Sequence, residues 1–341
     1  MSAVNTWLPL LCLAVALIAT GLLRQYSLRM NLLDLPNSRS SHQLPTPRGG
    51  GAAIVLTFFG GTSVLALLHL VDGRLALALL GGGGLVAGVG YLDDRKPQSV
   101  RARFAVHCIA AGLAIALLGG ISLTGIPSFG IGPPWVARMI ALIALVWVAN
   151  LFNFMDGIDG IAGSEAVFAM LAGAWLSLRL ESTEGAVAIM LCLAAACLGF
   201  LRWNWPPAKI FMGDVGSGFL GFSIGVLALY TSEHAAIPLQ VWVILGGVFV
   251  IDASLTLIRR AVRGDRWFEA HRLHAYQRLA RRWHSHFRVT AAVTAVNVFW
   301  LLPWAWVAAK TPAFATACML AALGPLAAVA IIAGAGRNDG R

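Results

Sequence analysis

The chain has 341 residues, of which 58% are hydrophobic and only 12% are charged. A typical soluble domain has about a quarter of its residues charged, so the composition excludes an ordinary soluble protein and predicts an integral membrane protein. The formal net charge of +10 is compatible with nucleic acid or anionic lipid, and its meaning depends on where the Lys and Arg residues lie.

Apolar windows of about 18 to 22 residues, long enough to cross a bilayer, recur along the whole chain. No Lys or Arg precedes the first window, whereas Arg24 and Arg29 follow it. This is the reverse of a cleaved signal peptide, so we expect the segment to be retained. We predict an all-α polytopic membrane protein with about eleven transmembrane helices, at 5–23, 50–70, 75–92, 104–122, 135–153, 161–180, 186–201, 216–232, 238–258, 289–308 and 313–335.

The Lys and Arg residues define a topology for these helices. If the N-terminus is outside, the inner segments hold 21 of the 25 Lys and Arg residues. The positive-inside rule then places the C-terminus in the cytoplasm. The basicity is therefore a topological signal, and we predict no nucleic-acid partner. The inner segments are 24–49, 93–103, 154–160, 202–215, 259–288 and 336–341, and the Lys and Arg residues outside them are Arg74, Arg138, Arg179 and Lys310.

Carboxylates gather on the same inner side, at or near membrane ends, where charge is costly and usually functional. Asp93 and Asp94 are adjacent at the end of the third span. Asp156 and Asp159, in "MDGIDG", share one face if this stretch begins the sixth helix. Asp214 lies in "FMGDVGSG", whose glycines allow a close approach to phosphate.

These carboxylates predict a hard divalent cation, because Mg²⁺ binds through one or two carboxylates together with substrate phosphates. The chemistry they indicate is phosphoryl transfer at the cytoplasmic face. The alternative is that each carboxylate caps the start of a helix. Three clusters on one membrane face, each beside a Gly-rich turn, favour the metal site.

Two inner segments supply positive charge. "EAHRLHAYQRLARRWHSH" contains His271, Arg272 and His274, and "DLPNSRSSHQLPTPRGGG" contains His42 and Arg48. Arg and His donors recognise phosphate oxygens. The alternatives are a juxtamembrane helix that binds anionic lipid for the first segment and a plain loop for the second.

Five stretches taken in order carry a resemblance. They resemble the polyprenyl-phosphate N-acetylhexosamine-1-phosphate transferases of glycosyltransferase family 4, the family that includes WecA, MraY and the O-antigen initiating WbpL-like enzymes. The resemblance covers nearly the whole chain. The stretches are "LDLPNSRSSHQLPTPRGGG", "GYLDDRKPQSVRARF", "NLFNFMDGIDGIAG", "RWNWPPAKIFMGDVGSGFLGF" and "EAHRLHAYQRL".

The resemblance implies an activity and a location. Such enzymes transfer a sugar-1-phosphate from a UDP-sugar to undecaprenyl phosphate, releasing UMP, with Mg²⁺ or Mn²⁺. They work at the cytoplasmic face of the bacterial inner membrane, among membrane lipids, and are often homodimers. It further implies one transmembrane catalytic domain over 1–341, with its active site formed by the loops 24–49, 93–103, 154–160, 202–215 and 259–288.

The resemblance also implies roles for individual residues. Asp214 resembles the metal ligand, and Asp93 the group that deprotonates or orients the lipid phosphate, with Asp94 beside it. His271 and His274, with Arg272, are expected to hold the diphosphate. The expected nucleotide and substrate contacts are Asn153, Asp156, Asp159, Asn204, Lys209, Phe211, Arg48 and His42.

The sequence departs from the family pattern in two places. MraY-type enzymes have consecutive His residues in the last inner loop, whereas here Arg272 and Leu273 separate His271 from His274. This difference favours the WbpL-like branch, with N-acetylhexosamine or 6-deoxy donors in O-antigen and lipopolysaccharide synthesis. The stretch "DDRKPQ" lacks a third Asp, so any role of that residue is absent here.

Two other classes of protein are less compatible with the sequence. A CDP-alcohol phosphotransferase needs an Ala-Arg pair shortly after its "DG" and later Asp residues at four-residue spacing, which "DGIDGIAGSEAVFAM" lacks. A transporter or lipid flippase would place its charges near the midplane of repeated halves. Here the charges gather at one face.

Overall fold

The computed structural model describes residues 4–35, 44–119, 134–180, 184–235, 237–265 and 271–338. Apart from one two-stranded antiparallel ladder, the regular structure in these residues is helical. The first half contains α1 Val4–Arg29, β1 Leu33–Asp34, β2 Thr46–Pro47, α2 Gly51–Leu67, α3 Gly73–Leu77, a π-helical turn Ala78–Gly82, α4 Gly83–Arg95, α5 Val100–Leu117 and α6 Pro134–Met155.

The second half begins with three long helices and ends with shorter ones. Its elements are α7 Ile161–Arg179, α8 Glu184–Asn204, α9 Asp214–His234, α10 Leu239–Leu245, α11 Gly247–Val262, α12 Ala275–Trp283, α13 His286–Val296, a π-helical turn Asn297–Leu301, α14 Leu302–Lys310, a 3₁₀ turn Pro312–Phe314 and α15 Ala315–Ile332.

The helices are long and apolar enough for a polytopic membrane protein, as the composition predicts. Within the described residues, nine helices or continuous helix runs can each cross a bilayer. The predicted span 238–258 is instead a pair, α10 and α11, bent by 81°. The predicted span 50–70 contains the shorter apolar helix Gly51–Leu67. The number of eleven membrane crossings and the orientation, with the N-terminus outside and the C-terminus in the cytoplasm, stay predictions. Residues 120–133, which join the predicted spans 104–122 and 135–153, lie outside the described residues.

Helix α9 forms the centre of the bundle and packs against α2, α4, α6 and α7. The "GGGG" stretch at residues 81–84 permits the close approach of α9 to α4. A Cβ added to Gly82 would lie 2.5 Å from the Phe222 ring, and one added to Gly83 would lie 2.9 Å from the Phe219 ring. Small residues therefore allow the aromatic side chains of α9 to fill the core.

Helices α1 and α8 run side by side in the same direction, so their carboxyl ends meet. The Trp203 indole N–H near the end of α8 donates to the Leu17 carbonyl of α1 at 2.9 Å. The same end of the bundle holds the end of α4, the end of α6 and the start of α9. In the predicted topology an even number of crossings separates the ends of α1, α4, α6 and α8, and α9 starts from the same side.

The β-ladder fixes the loop that leads into α9. Leu33 pairs with Pro47 and Asp34 with Thr46. Beyond the ladder, the Phe211 N–H donates to the Pro47 carbonyl at 2.8 Å, and the Gly50 N–H donates to the Phe211 carbonyl at 2.9 Å. The segment before α2 therefore holds the 205–213 loop through backbone hydrogen bonds.

Candidate active site

A cavity of about 290 Å³ opens at the end of the bundle where α4, α6 and α8 finish and α9 begins. Five carboxylates line it, together with one Arg and one His among the described residues. The neutral lining includes Asn153, Asn204, Phe211, Ser217 and Gln277, and the charged or titratable lining is Asp34, Asp94, Asp156, Asp159, Asp214, Arg48 and His286.

Asp94 holds the start of α9. Its carboxylate accepts the Asp214 N–H at 3.0 Å and the Val215 N–H at 3.1 Å. These donors have no partner inside their own helix, and a carboxylate there also interacts favourably with the helix dipole. Gly213 is needed beside it: its φ is 77°, and an added Cβ would lie 2.5 Å from Asp94 Oδ2.

Asp93 and Asp214 share one guanidinium. Arg103 Nη1 donates to Asp93 Oδ2 at 2.8 Å and to Asp214 Oδ2 at 3.1 Å. The Gln98 N–H also donates to Asp93, at 2.5 Å. The side chains of Asp214 and Asp93 are 31% and 13% exposed. Asp214 lines the cavity, whereas Asp93 is not among its lining residues. Adjacent Asp93 and Asp94 thus point to different partners, as their 100° separation on a helix predicts.

Asp156 lies in the loop before α7 and faces other carboxylates. Burial, and then the charges of Asp214, Asp94 and Asp159, raise its pKa well above the usual value. Helix α7 begins only at Ile161, and its N-cap is Gly160 without a side-chain cap. Neither Asp156 nor Asp159 therefore lies on the first turn of α7, and neither residue is the N-cap of α7.

Asp159 joins three segments. Its Oδ2 accepts the Ala208 N–H at 3.0 Å, and its Oδ1 lies 3.2 Å from His286 Nδ1. The Thr290 hydroxyl donates to the Asp159 carbonyl at 2.9 Å. The loop 156–160 is thus attached to the 205–213 loop and to α13.

Asn153, Asn204 and Phe211, which are expected to contact the nucleotide, all line the cavity. The Asn204 side chain is 3% exposed; its Oδ1 accepts the Gly160 N–H at 3.0 Å and its Nδ2 donates to the Ile210 carbonyl at 2.9 Å. The Asn153 Nδ2 donates to the Ser217 hydroxyl at 3.2 Å. Asn204 therefore joins the two loops that form one wall.

The basic residues expected at the substrate divide into three groups. Arg48 lines the cavity, and its charge acts on Asp94. Lys209 is exposed and does not line it, and its Nζ lies 5.9 Å from the centre of the Trp203 ring. His42 lies outside the described residues. The substrate-binding roles of all three stay predictions.

His271, Arg272 and His274 are not among the residues that line the cavity. The His274 ring is 2% exposed, and its Nδ1 lies 3.5 Å from Asp252 Oδ1. His271 packs against His274 with ring centres 4.8 Å apart. Burial, and then the charges of His274 and Arg260, lower the pKa of His271 to about 3. Their predicted role in holding the diphosphate remains untested.

Contacts of Asp252 hold the segment of these histidines away from the lining of the cavity. Its carboxylate accepts the Ala275 N–H at 2.8 Å and the Tyr276 N–H at 2.9 Å, at the start of α12. The Tyr276 hydroxyl then donates to the Phe154 carbonyl at 3.0 Å, and burial raises the pKa of that hydroxyl well above its usual value. Helix α12 thus supports the loop that holds Asp156.

Five polar or charged residues of the site are not among the site residues predicted from the sequence. Three of them come from positions that no local motif marks: Arg103 is a helix residue ten positions after Asp93, and Gln277 and His286 follow the His271–His274 stretch. Ser217 lies within "GDVGSG" and could have been found from its spacing to Asp214. The five are Asp34, Arg103, Ser217, Gln277 and His286.

The donor set fits a magnesium ion that is completed by substrate. Among the described residues, no three His, Cys, Asp or Glu side chains are arranged to hold a metal by themselves. Mg²⁺ commonly takes only one or two carboxylates and obtains further oxygens from phosphates and water. Asp214 and Asp93, whose Oδ2 atoms approach one cationic nitrogen, form such a pair of hard oxygen donors.

The described residues thus form a helical membrane bundle with an acidic cavity at one end. The sequence profile of glycosyl transferase family 4 matches residues 76–232. This range contains Asp93, Asp94, Asp156, Asp159 and Asp214, which include four of the five carboxylates of the cavity.

Curated relatives are similar to most of the chain. The decaprenyl-phosphate N-acetylglucosaminephosphotransferase of Mycobacterium tuberculosis is 28% identical over 304 residues, 81% of this chain and 75% of the relative. The phospho-N-acetylmuramoyl-pentapeptide-transferase of Desulfatibacillum aliphaticivorans is 31% identical over 67% of this chain and 71% of the relative. That of Shouchella clausii is 30% identical over 77% and 82%.

The chain belongs to glycosyl transferase family 4, among the polyprenyl-phosphate N-acetylhexosamine-1-phosphate transferases that its motifs resemble. It is an all-α polytopic integral membrane protein. The relatives fall in two groups, named for N-acetylglucosamine and for N-acetylmuramoyl-pentapeptide.

Proposed function

We propose that the protein transfers an N-acetylhexosamine-1-phosphate from a UDP-sugar to undecaprenyl phosphate, releasing UMP, with Mg²⁺ or Mn²⁺ bound at Asp214. The observation that carries the proposal is the cavity itself: five carboxylates, with Arg48 and His286, at the end of the bundle where α9 begins. An acidic cavity binds a diphosphate only together with a cation, and the pair Asp93 and Asp214 offers oxygens for one.

The reaction joins two anions. An oxygen of the lipid phosphate attacks the phosphorus that carries the sugar, the anhydride bond between the two phosphates breaks, and UMP leaves with the bridging oxygen. Asp214 would hold a metal ion, which would neutralise charge on the phosphates and so permit their approach. Arg103 and Arg48 add positive charge at the two sides of the carboxylates.

Each residue of the site has a distinct role in this reaction. Asp94 fixes the first turn of α9 and thereby the position of Asp214, which would hold the metal. Asp93, held by Arg103 and by the Gln98 N–H, orients the lipid phosphate. Asn204, Phe211 and Asp159 form the wall for the nucleotide. Direct attack leaves these assignments as they stand, whereas a covalent aspartyl intermediate would make one of the carboxylates the nucleophile.

We further propose that the cavity faces the cytoplasm of a bacterium and that the membrane is the inner membrane. The Lys and Arg distribution supports this orientation. A reporter that is active only outside the cytoplasm should be active when fused after Thr183 and silent when fused after Gly264. The reverse pattern would place the cavity on the side that lacks nucleotide sugars.

The donor sugar and the pathway form a narrower proposal. The separation of His271 from His274 differs from the MraY pattern, so we propose a WbpL-like donor, a UDP-N-acetylhexosamine or its 6-deoxy form, and a role in starting O-antigen or another surface glycan. A single catalytic domain over 1–341, in a homodimer among membrane lipids, completes the proposal.

The testing experiment uses purified protein with undecaprenyl phosphate, Mg²⁺ and a panel of UDP-N-acetylsugars, and measures UMP release. We expect UMP with at least one N-acetylhexosamine donor and none without the lipid. A transporter or lipid flippase would release no UMP with any donor. UMP release with UDP-N-acetylmuramoyl-pentapeptide alone would contradict the proposed branch but not the reaction class.

A further inference from the structure

Three cations surround one indole ring beside the cavity. Arg24 Cζ and Arg202 Cζ each lie 6.0 Å from the centre of the Trp203 ring, and Lys209 Nζ lies 5.9 Å from it. We call Arg24, Arg202, Trp203 and Lys209 the Trp203 cluster. Each distance is at the outer limit at which a cation is attracted to an aromatic face. Three cations thus lie near one ring although like charges repel one another.

The ring itself is fixed. Its N–H donates to the Leu17 carbonyl at 2.9 Å. A Cβ added to Gly21 would lie 2.9 Å from Trp203 Cζ2, so the indole packs directly on the backbone of α1. The cluster therefore joins the ends of α1 and α8 and has a defined geometry rather than three independent surface side chains.

The positive charge of the cluster is not neutralised by the protein. None of its three cations forms an ion pair with an acidic residue in the described part of the chain. Arg24 Nε is buried and has no hydrogen-bond partner there. A buried guanidinium donor without an acceptor is costly. Arg202 and Lys209 are exposed, so an anion can reach the cluster through their side chains.

The cluster lies near the ends of two helices that are long and apolar enough to cross a bilayer. Arg24 and Arg202 lie in the last two turns of apolar helices that are long enough to cross a bilayer. Exposed aromatic side chains accompany it at this end: Trp205 is 41% exposed and stacks edge-on with Phe287, which is 50% exposed. Trp at the level of the headgroups, with Lys and Arg beside it, is typical of a membrane interface.

We propose that the Trp203 cluster binds the phosphate of an anionic lipid, at a site separate from the cavity. Arg24 and Arg202 donate to the phosphate oxygens, Lys209 adds charge from the 205–213 loop, and the acyl chains lie along α1 and α8. The lipid is either an anionic phospholipid or the polyprenyl phosphate itself. The second source rests on the proposed function, whereas the first does not.

The test measures lipid binding by native mass spectrometry of the purified protein, with phosphatidylglycerol, phosphatidylcholine or undecaprenyl phosphate added. The triple variant Arg24→Gln, Arg202→Gln, Lys209→Gln removes the charges of the cluster. A matched triple variant removes the same charge from exposed arginines of the same membrane side, namely Arg29→Gln, Arg282→Gln and Arg288→Gln. Lys209→Glu alone, at an exposed position, serves if the first triple variant does not fold.

We expect binding of at least one anionic lipid to weaken about fivefold for each cation removed in the cluster variant, and to persist in the matched variant. The anionic lipid whose binding weakens identifies the source. Undiminished binding of both anionic lipids would overturn the proposal. So would an equal loss in the matched variant, or phosphatidylcholine binding as tightly as the anionic lipids. UMP release is not the readout, so the outcome is independent of the proposed reaction.

Discussion

The carboxylate of Asp94 accepts the backbone N–H groups of Asp214 and Val215, from a helix 120 residues further along the chain. Asp252 does the same for Ala275 and Tyr276 at the start of α12. In both places a carboxylate from one helix closes the first turn of another. These two contacts fix the directions in which α9 and α12 leave the loops around the cavity.

Asp94→Ala is expected to lower both thermal stability and UMP release. The change leaves two backbone donors of α9 without their acceptor, and loss of a capping side chain costs about 1 kcal/mol. Asp94→Asn keeps an acceptor and should retain more of the stability. Thermal unfolding in detergent measures the difference, and an Asp94→Ala protein as stable as wild type would show that Asp94 does not hold α9.

Arg103→Gln should change the metal response and the rate in opposite directions. The guanidinium lies between Asp93 and Asp214, so its removal leaves both carboxylates to the cation and should lower the Mg²⁺ concentration for half-maximal activity. The lost positive charge should reduce maximal turnover by about 10- to 100-fold. An Mg²⁺ titration of UMP release measures both quantities. A rise in the half-maximal concentration would mean that Arg103 assists the metal rather than competing with it.

Asp156→Asn should stabilise the protein in EDTA at neutral pH. The pKa of Asp156 is higher in the folded state than in the unfolded state. The wild-type protein therefore loses stability as the pH rises from the unfolded-state pKa to the folded-state pKa, whereas Asn has no charge to desolvate. The stability gap between variant and wild type should therefore grow from about pH 4 upward. Thermal unfolding at several pH values tests this, and a gap that is constant with pH would refute it.

Gly157→Ala should greatly reduce UMP release. A Cβ at this position would overlap the Tyr276 hydroxyl and lie 2.8 Å from Gln277 Nε2, so α12 and the loop that holds Asp156 cannot keep their contact. We expect a loss of at least about tenfold, since small misplacements at a catalytic site are costly. Gly88→Ala is the matched control, because nothing lies within 4 Å of a Cβ there and Ala favours a helix. Equal activities of the two variants would contradict the packing argument.

Much of the site follows from the sequence because its elements end at one face. Asp94, Asp156, Asp159 and Asp214 each stand at the end of an apolar run, and alternating spans bring such ends together. The cavity contains all four. The membrane restricts the possible arrangements so strongly that hydropathy and charge alone place these residues on one side.

The remaining features depend on contacts between distant segments. Sequence rules for helix caps consider only residues next to the helix in the chain. They therefore do not reveal that Asp94 caps α9 or that Asp252 caps α12. The motif that contains Trp203 does not reveal that Arg24 lies near its ring, because this contact depends on how α1 packs beside α8. His286 pairs with Asp159 only because α13 returns to the loop before α7.

The most direct test of the account compares UMP release by wild type and Asp214→Asn over a range of Mg²⁺ concentrations, with undecaprenyl phosphate and a UDP-N-acetylhexosamine that wild type accepts. The account predicts that activity requires the metal and that Asp214→Asn, folded as judged by thermal unfolding, loses turnover by at least about 100-fold, since a metal supplies several kcal/mol of charge stabilisation. Near-normal turnover with an unchanged Mg²⁺ titration in the variant would contradict it.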